Sequence, residues 1–325
     1  MSSIQRNSFG RLGWDVSKIG IGTYHLTTDR GVRREEALNV IRKARALGVN
    51  LFDTAPLYGC GESDGLLGEA FCKAPRDYRI IAKVGRFEVG TYRNVWKEGY
   101  RSPFIIRSQF EQTLRQLGRE SVDLLLLHES DWEHWWNEEE FQSGTGLSVL
   151  EKLKKDGLTE GIGLSLRNSE IAKRLIKTGK FDAMLFVHFC NMIWQESLDD
   201  VMPIASQNGL GISVGAVFKQ GLLIDYDEAD LALYLKAPPR DVTAGIIKRM
   251  KAVLFISRES GICLPELGLR FLLSVNPLHS VIVGPANVKQ LEQNVEWAIK
   301  GKLPVDVLSA IRNICKIPLG EERNE

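Results

Sequence analysis

The stretch Asn50-Leu-Phe-Asp53-Thr-Ala-Pro-Leu-Tyr58-Gly59 is a short apolar run that ends at an acid, with a tyrosine five residues later. An apolar run with a polar end is typical of a buried β-strand. A glycine-rich turn follows and leads into residues 65–71, whose pattern predicts a helix. Taken alone, this Asp and this Tyr are more simply explained as a turn cap and a core residue. The other residues of the chain indicate whether these two take part in catalysis.

The same strand–helix unit recurs along almost the whole chain. Residues 122–128 form a nearly continuous apolar run, which is typical of parallel strands buried on both faces. Strands that alternate with helices pair in parallel through right-handed crossovers, and eight such units close into a barrel. The prediction is therefore a (β/α)8 TIM barrel, formed as a single domain over residues 1–325, with an open doubly wound sheet as the alternative.

The predicted elements follow from apolar periodicity and from the helix start and stop signals. The strands are residues 18–23, 50–53, 78–84, 122–128, 161–165, 181–188, 211–217 and 280–284. The helices are residues 33–47, 65–71, 102–117, 147–155, 168–178, 198–208, 241–260, 265–273, 288–299 and 305–315.

The charge balance excludes some classes of partner. The 325 residues include 42 basic and 41 acidic side chains, so the formal net charge is +1. That balance favours neither nucleic acid nor an anionic membrane surface as a partner. Hydrophobic residues make up 44% of the chain and charged residues 26%, as in ordinary globular proteins. A small-molecule substrate is the expected partner, and the composition leaves the oligomeric state open.

The first residues and the cysteines predict a cytoplasmic protein. The chain does not begin with the apolar region of a signal peptide, and no run approaches the roughly 18 apolar residues of a membrane span. The five cysteines are widely spaced and never form Cys-x-x-Cys. This pattern favours reduced thiols over a disulfide framework or a zinc site, so no metal site is predicted.

Four polar residues are predicted at the carboxyl ends of three consecutive strands, where the active site of a barrel lies. Asp53 and Tyr58 belong to the second strand and its loop, Lys83 lies within the third strand, and His128 ends the fourth. A lysine in an apolar strand is costly to bury without a partner, and Asp53 is the natural one. A Lys–Asp pair is expected to lower the pKa of Tyr58 from about 10, so that the phenol serves as a general acid or base. Each residue alone has a structural explanation, but the four together favour chemistry.

These segments resemble those of the aldo-keto reductases. Phe52-Asp53-Thr-Ala-Pro-Leu-Tyr58-Gly59, Ile81-Ala-Lys83 and Leu126-Leu-His128 are similar to the segments that carry the family's Asp–Tyr–Lys–His tetrad. The resemblance implies a (β/α)8 barrel that binds an extended nicotinamide dinucleotide, NAD or NADP, without a Rossmann fold. It also implies hydride transfer between the nicotinamide and a carbonyl carbon. Tyr58 would then transfer the proton, Lys83 and Asp53 would tune it, and His128 would position the substrate oxygen.

The resemblance also implies a set of cofactor-binding residues. Ser165 matches the family serine that binds the nicotinamide carboxamide, Gly221 and Leu222 match the backbone beside the pyrophosphate, and residues 284–294 match the adenosine segment. The sixth strand lacks the family's usual glutamine, and Asn191 is the nearest amide. The predicted set is Gly22, Thr23, Asp53, Ser165, Asn191, Phe218, Gln220, Gly221, Leu222, Gly284, Ala286, Gln290 and Asn294.

One departure from the family bears on the choice between NAD and NADP. Members that prefer the 2′-phosphorylated cofactor commonly have Lys or Arg in the segment after the eighth strand. Here Gly284-Pro-Ala-Asn287 has no cation, Lys289 is the first one, and Gln290 stands where an arginine is often found. Without a cation, the charge of a 2′-phosphate is poorly compensated. The sequence therefore predicts either a relaxed preference between the two cofactors or a lean towards NAD(H).

The substrate pocket is predicted only from position relative to the strands. Its candidate residues are Tyr24, His25, Tyr58, Arg86, His128 and Trp132. Two long segments after strands, residues 86–101 and 129–144, are expected on the same face. The indole rings of Trp132, Trp135 and Trp136 either stack on a substrate or pack against the barrel rim.

The expected reaction is the oxidation or reduction of an aldehyde, a ketone, or a sugar hydroxyl or anomeric carbon. The sequence is nearer to the aldose dehydrogenase-like branch of the family, from Gly22-Thr23-Tyr24 and Val283-Gly284-Pro285. Two alternatives stay open. One is an isomerase, epimerase or lyase that retains the cofactor, and the other is a non-catalytic module that senses the cofactor.

Overall fold

The computed structural model of the chain describes residues 3–86, 99–132, 135–136 and 144–319. The remainder of the two long segments predicted on the active-site face, residues 87–98, 133–134 and 137–143, lies outside the described residues. The described strands are β1 (Arg6–Ser8), β2 (Asp15–Ser17), β3 (Ile19–Gly22), β4 (Leu51–Asp53), β5 (Arg79–Val84), β6 (Val122–His128), β7 (Thr159–Leu166), β8 (Ala183–Val187), β9 (Gly211–Gly215) and β10 (Ser280–Val283).

The described α-helices alternate with these strands. They are α1 (Arg34–Ala46), α2 (Glu62–Phe71), α3 (Pro103–Leu117), α4 (Thr145–Lys155), α5 (Ser169–Lys177), α6 (Glu196–Gln207), α7 (Glu228–Lys236), α8 (Ala244–Ser260), α9 (Leu264–Ser274), α10 (Val288–Lys300) and α11 (Val305–Asn313). None of these described helices is long and apolar enough to cross a membrane.

Eight parallel strands close into a barrel in the order β10-β3-β4-β5-β6-β7-β8-β9. Each strand pairs with its sequence neighbour, and β10 closes the ring against β3. The seven residues of β6 are all buried, as expected for a strand covered by side chains on both faces. The predicted (β/α)8 barrel is therefore confirmed.

The helix ends follow local capping signals. In α3, the Ser102 side chain accepts a hydrogen bond from Ile105 N, and Pro103 occupies the first turn. The helix ends at Gly118, whose φ of 63° is unfavourable for residues with a Cβ. These signals were sufficient to place α3 from the sequence.

A feature that the sequence did not predict closes the amino ends of the barrel strands. The antiparallel hairpin β1–β2 carries Phe9 and Trp14, whose rings stack with centroids 5.8 Å apart. Both side chains are buried and pack with residues of the barrel interior, such as Leu51 and Leu126. Phe9 lies directly against Gly211, where a Cβ would come within 2.3 Å of its ring. The hairpin therefore seals the end of the barrel opposite the predicted site.

Two further differences lie between β9 and α9. Helix α7 was not predicted because Leu231 is its one buried residue, although Asp227 and Asp230 form a capping box at its start. The helix predicted from residue 241 begins at Ala244. Asp241 has a φ of 62°, which is outside the helical region, and the Thr243 side chain caps the helix instead.

Candidate active site

A cavity of about 280 Å³ opens at the carboxyl ends of the barrel strands. All eight strands contribute to its wall, so side chains far apart in sequence meet there. One lining residue from each strand, in chain order, is Gly22, Asp53, Lys83, His128, Ser165, Val187, Gly215 and Val283. The barrel thus brings the predicted polar residues together at one site.

Lys83 and Asp53 form a buried ion pair at the base of this cavity. Lys83 Nζ lies 2.6 and 2.5 Å from the two carboxylate oxygens of Asp53, and the residues are 1% and 4% exposed. The ammonium also donates to Thr54 O at 3.1 Å and to Tyr58 Oη at 3.2 Å. Burial alone lowers the pKa of Lys83, but the charge of Asp53 and the hydrogen bonds to Asp53 and Tyr58 outweigh it and raise the pKa. Lys83 therefore stays charged.

A tight turn delivers Tyr58 to the ion pair. Gly59, Cys60 and Gly61 all have left-handed backbone angles, with φ of 58°, 54° and 90°, and they turn the chain from Tyr58 into α2. The Tyr58 ring contacts Tyr24 edge to face, with centroids 5.2 Å apart, and its centroid lies 6.0 Å from that of His128. Lys83 donates to the phenol oxygen, so the Tyr58 proton is left to point towards the cavity.

The predicted direction of the Tyr58 pKa shift is wrong. Burial raises the pKa of the phenol to about 12, because loss of solvent outweighs the opposing charge of Lys83, and the Asp53 carboxylate raises it further. The prediction took account of the Lys83 charge but not of how deeply Tyr58 is buried. Tyr58 is therefore a protonated phenol at neutral pH.

His128 ends β6 beside this group and is 8% exposed. Burial, followed by the charges of Lys83 and Arg86, lowers its pKa well below the usual range. Its Nδ1 atom has no hydrogen-bond partner among the described residues. A neutral imidazole offers one donor and one acceptor, so His128 suits a polar but uncharged atom of a ligand.

A buried polar network that the sequence did not reveal supports the ion pair from behind. The Asp64 carboxylate accepts hydrogen bonds from Thr54 Oγ1 at 2.6 Å and from Thr113 Oγ1 at 3.0 Å. Burial raises the pKa of Asp64 to about 6, against these hydrogen bonds. Since the carbonyl of Thr54 accepts from Lys83, the network fixes the backbone that holds the ammonium.

The structure separates the predicted cofactor-binding residues into two groups. Those that line the cavity are Gly22, Asp53, Ser165, Phe218, Gln220, Gly221 and Gly284. Those outside its described lining are Thr23, Asn191, Leu222, Ala286, Gln290 and Asn294. The Thr23 hydroxyl donates to Asp53 O at 2.8 Å and contacts Ser63 Oγ, so it supports β4 instead of facing the cavity.

His188 takes the place on the wall that Asn191 was expected to occupy. The Asn191 amide donates to His188 O at 3.0 Å and accepts from Ile193 N and Trp194 N, so it is used within a local turn. His188 has a φ of 67° and lines the cavity. Burial and the charges of Lys219 and Arg167 lower the pKa of His188 to about 4, so it is neutral.

The predicted adenosine segment lies at the start of α10. Gln290 Oε1 accepts a hydrogen bond from Ala286 N at 2.8 Å, and the Asn287 side chain caps the helix by accepting from Gln290 N. Asn294 is buried in the same helix. Glu36 of α1 also reaches this helix end, where its carboxylate accepts from Val288 N at 3.1 Å.

Five of the six predicted pocket residues line the cavity, namely Tyr24, His25, Tyr58, Arg86 and His128. Trp132 lies outside the described lining, with its ring 4.9 Å from the Arg86 guanidinium carbon. Trp135 and Trp136 are buried and donate to His128 O and Ser130 O, so they pack into the barrel rim. Glu129 was not predicted, yet it lines the cavity and pairs with Arg86.

Known proteins resemble the chain over nearly its full length. The Aldo/keto reductase family matches residues 18–316. Pyridoxal 4-dehydrogenase of Microbacterium luteolum is 24% identical, covering 96% of this chain and 98% of that protein. L-galactose dehydrogenase of Arabidopsis thaliana is 28% identical, covering 91% of this chain and 88% of that protein.

A solved structure shows the same fold. The holo form of aldo-keto reductase AKR11C1 from Bacillus halodurans superposes with a TM-score of 0.75 at 21% identity, covering 99% of this chain and 100% of that one. The fold agrees with the family match, and the predicted oxidoreductase class is confirmed. The chain belongs to the aldo/keto reductase family and is an NAD(P)-dependent oxidoreductase.

Proposed function

We propose that the chain transfers hydride between a nicotinamide cofactor, preferentially NAD(H), and the carbonyl or lactol carbon of a small hydroxylated substrate, with Tyr58 as the general acid and base. The observation that carries this proposal is the buried group of Lys83, Asp53 and Tyr58 at the base of the cavity. The similarity to L-galactose dehydrogenase supports a sugar as substrate.

The described residues fit an extended dinucleotide. Gly22, Gly221 and Gly284 line the cavity, and a Cβ added at Gly221 would meet no atom within 4 Å. The loop before Gly221 contains left-handed residues at Ala216 and Gln220, which turn successive backbone groups in different directions. Glycines and such turns allow a phosphate to approach the backbone closely. Ser165 and the neutral His188 would contact the nicotinamide end.

When bound, the nicotinamide supplies or accepts the hydride. In carbonyl reduction, Tyr58 donates its proton to the substrate oxygen as that oxygen gains charge, and in oxidation the phenolate takes the proton back. The Lys83 ammonium stabilises the phenolate, and Asp53 keeps Lys83 charged and in place. The neutral His128 contributes a hydrogen bond that orients the substrate oxygen.

The proposed preference for NAD rests on the charged groups at the start of α10. The Glu36 carboxylate already occupies the Val288 N–H at this helix end, and a second anion nearby is repelled. Gln290 is neutral, and its side-chain oxygen is used by Ala286 N. A 2′-phosphate would therefore meet the Glu36 carboxylate, and residues 284–288 offer it no cation, since Lys289 is the first one in this segment.

The function is tested by following absorbance of the reduced cofactor with a panel of sugars and aldehydes, using NADH and NADPH in parallel. We expect stoichiometric cofactor turnover with at least one sugar. A Michaelis constant for NADPH at least about tenfold below that for NADH would refute the preference. Product formation without net cofactor consumption would instead support the cofactor-retaining alternative.

A matched pair of variants isolates the role of Glu36. Glu36→Gln should lower the Michaelis constant for NADPH about three- to tenfold relative to that for NADH, because it removes one repulsive charge. Glu35→Gln is the control, since Glu35 lies beside it in the first turn of α1 but is exposed. If both substitutions lowered the Michaelis constant for NADPH equally, the cause would be the overall surface charge and not the position of Glu36.

The Tyr58 pKa predicts different pH profiles for the two directions. A phenol with a pKa of about 12 is protonated at neutral pH, so kcat for reduction should be flat from about pH 6 to 9. Oxidation needs the phenolate, whose fraction rises about tenfold per pH unit below the pKa, so kcat for oxidation should rise with pH. Oxidation rates that do not change between about pH 6 and 9 would contradict Tyr58 as the base. The low pKa of His128 adds no inflection in this range.

A further inference from the structure

Arg86 and Glu129 form a second charged pair on the cavity wall, next to His128. Arg86 lies two residues beyond β5, Glu129 directly follows β6, and Arg86 Nη1 donates to Glu129 Oε2. Their side chains are 20% and 17% exposed, so both are largely shielded from solvent. Both residues line the same cavity as Tyr58 and His128.

The local backbone holds both side chains in unusual positions. Arg86 has a φ of 60° and Glu129 a φ of 54°, in the left-handed region that is unfavourable for residues with a Cβ. The Trp132 ring lies 4.9 Å from the Arg86 guanidinium carbon, and Trp132 N donates to Glu129 O at 3.0 Å. The surrounding structure thus fixes a guanidinium and a carboxylate side by side. Such local strain is frequent at ligand-binding positions.

The pair leaves the described wall of the cavity without net charge. The ionised residues on that wall are two cations, Lys83 and Arg86, and two anions, Asp53 and Glu129, joined in two ion pairs. An anionic substrate would bring its charge against Glu129 and would have to compete with it for Arg86. An apolar substrate would displace water from both charged groups and could not replace the hydrogen bonds that this water made. A neutral substrate with hydroxyl groups avoids both penalties.

We propose that Arg86 and Glu129 form a subsite for adjacent hydroxyl groups of a neutral substrate, such as those beside the reacting carbon of an aldose. One hydroxyl donates to the Glu129 carboxylate while its neighbour accepts from the Arg86 guanidinium. Both are charge-assisted hydrogen bonds, which are stronger than neutral ones. Because Glu129 follows His128 directly, the subsite lies next to the position of the substrate oxygen. This inference rests on the proposed hydride transfer and names the substrate class for it.

The test compares galactose, in both enantiomeric series, with its 2-deoxy and 3-deoxy analogues and with benzaldehyde and glyoxylate. In the unmodified protein, at least one deoxy analogue should have a kcat/KM about 10- to 100-fold below that of galactose. Glu129→Gln should reduce this discrimination at least about fivefold, and it should raise kcat/KM for glyoxylate relative to galactose about tenfold or more. If the pair only stabilises the fold, Glu129→Gln should change kcat/KM for galactose, its deoxy analogues, benzaldehyde and glyoxylate by the same factor.

Glu160→Gln is the matched control, because Glu160 is also ion-paired, to Arg79, but lies near the amino end of β7. It should leave the substrate ratios unchanged. If Glu129→Gln fails to fold, Arg86→Lys tests the same prediction, since it keeps the charge but loses the planar donor geometry.

The outcomes separate the subsite from the proposed function. Cofactor-linked turnover with unchanged hydroxyl discrimination in Glu129→Gln would overturn the subsite alone. Absence of cofactor-linked turnover of every substrate by the unmodified protein would overturn the proposed function, and the subsite with it.

Discussion

Tyr58→Phe should lower kcat in both directions by about 10²- to 10⁴-fold while the dissociation constant of the cofactor changes less than about threefold. The substitution removes only the phenol oxygen. The ring keeps its contacts with Tyr24 and His128, and Lys83 keeps Asp53 and Thr54 O as acceptors. The loss should therefore fall on proton transfer and leave folding and cofactor binding nearly unchanged.

The measurement combines steady-state kinetics with fluorescence titration of the reduced cofactor. Tyr78→Phe is the matched control, because Tyr78 is a buried tyrosine immediately before β5, at the opposite end of the barrel. It should retain activity. If Tyr58→Phe keeps more than about a tenth of the unmodified kcat, another group supplies the proton.

Lys83→Met should destabilise the fold by about 3–5 kcal/mol and abolish measurable turnover, because it leaves the Asp53 carboxylate buried without its cation. Asp53 is 4% exposed, and both of its oxygens contact Lys83 Nζ. The double variant Asp53→Leu with Lys83→Met removes both charges, and a neutral, well-packed replacement of a buried pair is often tolerated. It should recover most of the lost stability but none of the activity.

Urea unfolding followed by circular dichroism gives the free energies. Arg258→Met serves as the control, since Arg258 and Glu228 form a pair in which both side chains are more than half exposed. Breaking that exposed pair should change the free energy of unfolding far less than Lys83→Met does. A similarly small effect of Lys83→Met would show that Asp53 is protonated or solvated in the fold. That result would contradict the ion pair between Lys83 and Asp53. Failure of the double variant to regain stability would assign the loss to packing.

The barrel could be predicted because its signals are local and repeated. The apolar run of β6 and the alternation of strands with helices do not depend on distant contacts. The pairing of Lys83 with Asp53 could also be anticipated, since a lysine in an apolar strand needs a carboxylate and the neighbouring strand offers one. The catalytic and binding roles of these residues stay predictions.

The features that could not be predicted from the sequence depend on how deeply a residue is buried or on its backbone conformation. The Tyr58 pKa is set by how far the site is buried, which a sequence pattern does not show. His188 reaches the cavity wall because its φ is 67°, and Asn191 is withdrawn by a turn that its own amide stabilises. Glu129 and Arg86 likewise meet only because two loops turn through left-handed residues.

The hairpin that closes the barrel has a practical consequence for attaching the enzyme to a support. The hairpin lies against the amino ends of the barrel strands, since the Asn7 amide of β1 donates to His279 O at 3.0 Å and Arg11 N, in the turn after β1, donates to Gly209 O at 2.7 Å. The cavity opens at the carboxyl ends, on the other side of the barrel. A linker joined ahead of β1 therefore leaves from the face opposite the cavity. An enzyme coupled to a bead or an electrode through that linker presents this cavity to the solution, whereas trimming back to β3 would expose the barrel interior to water.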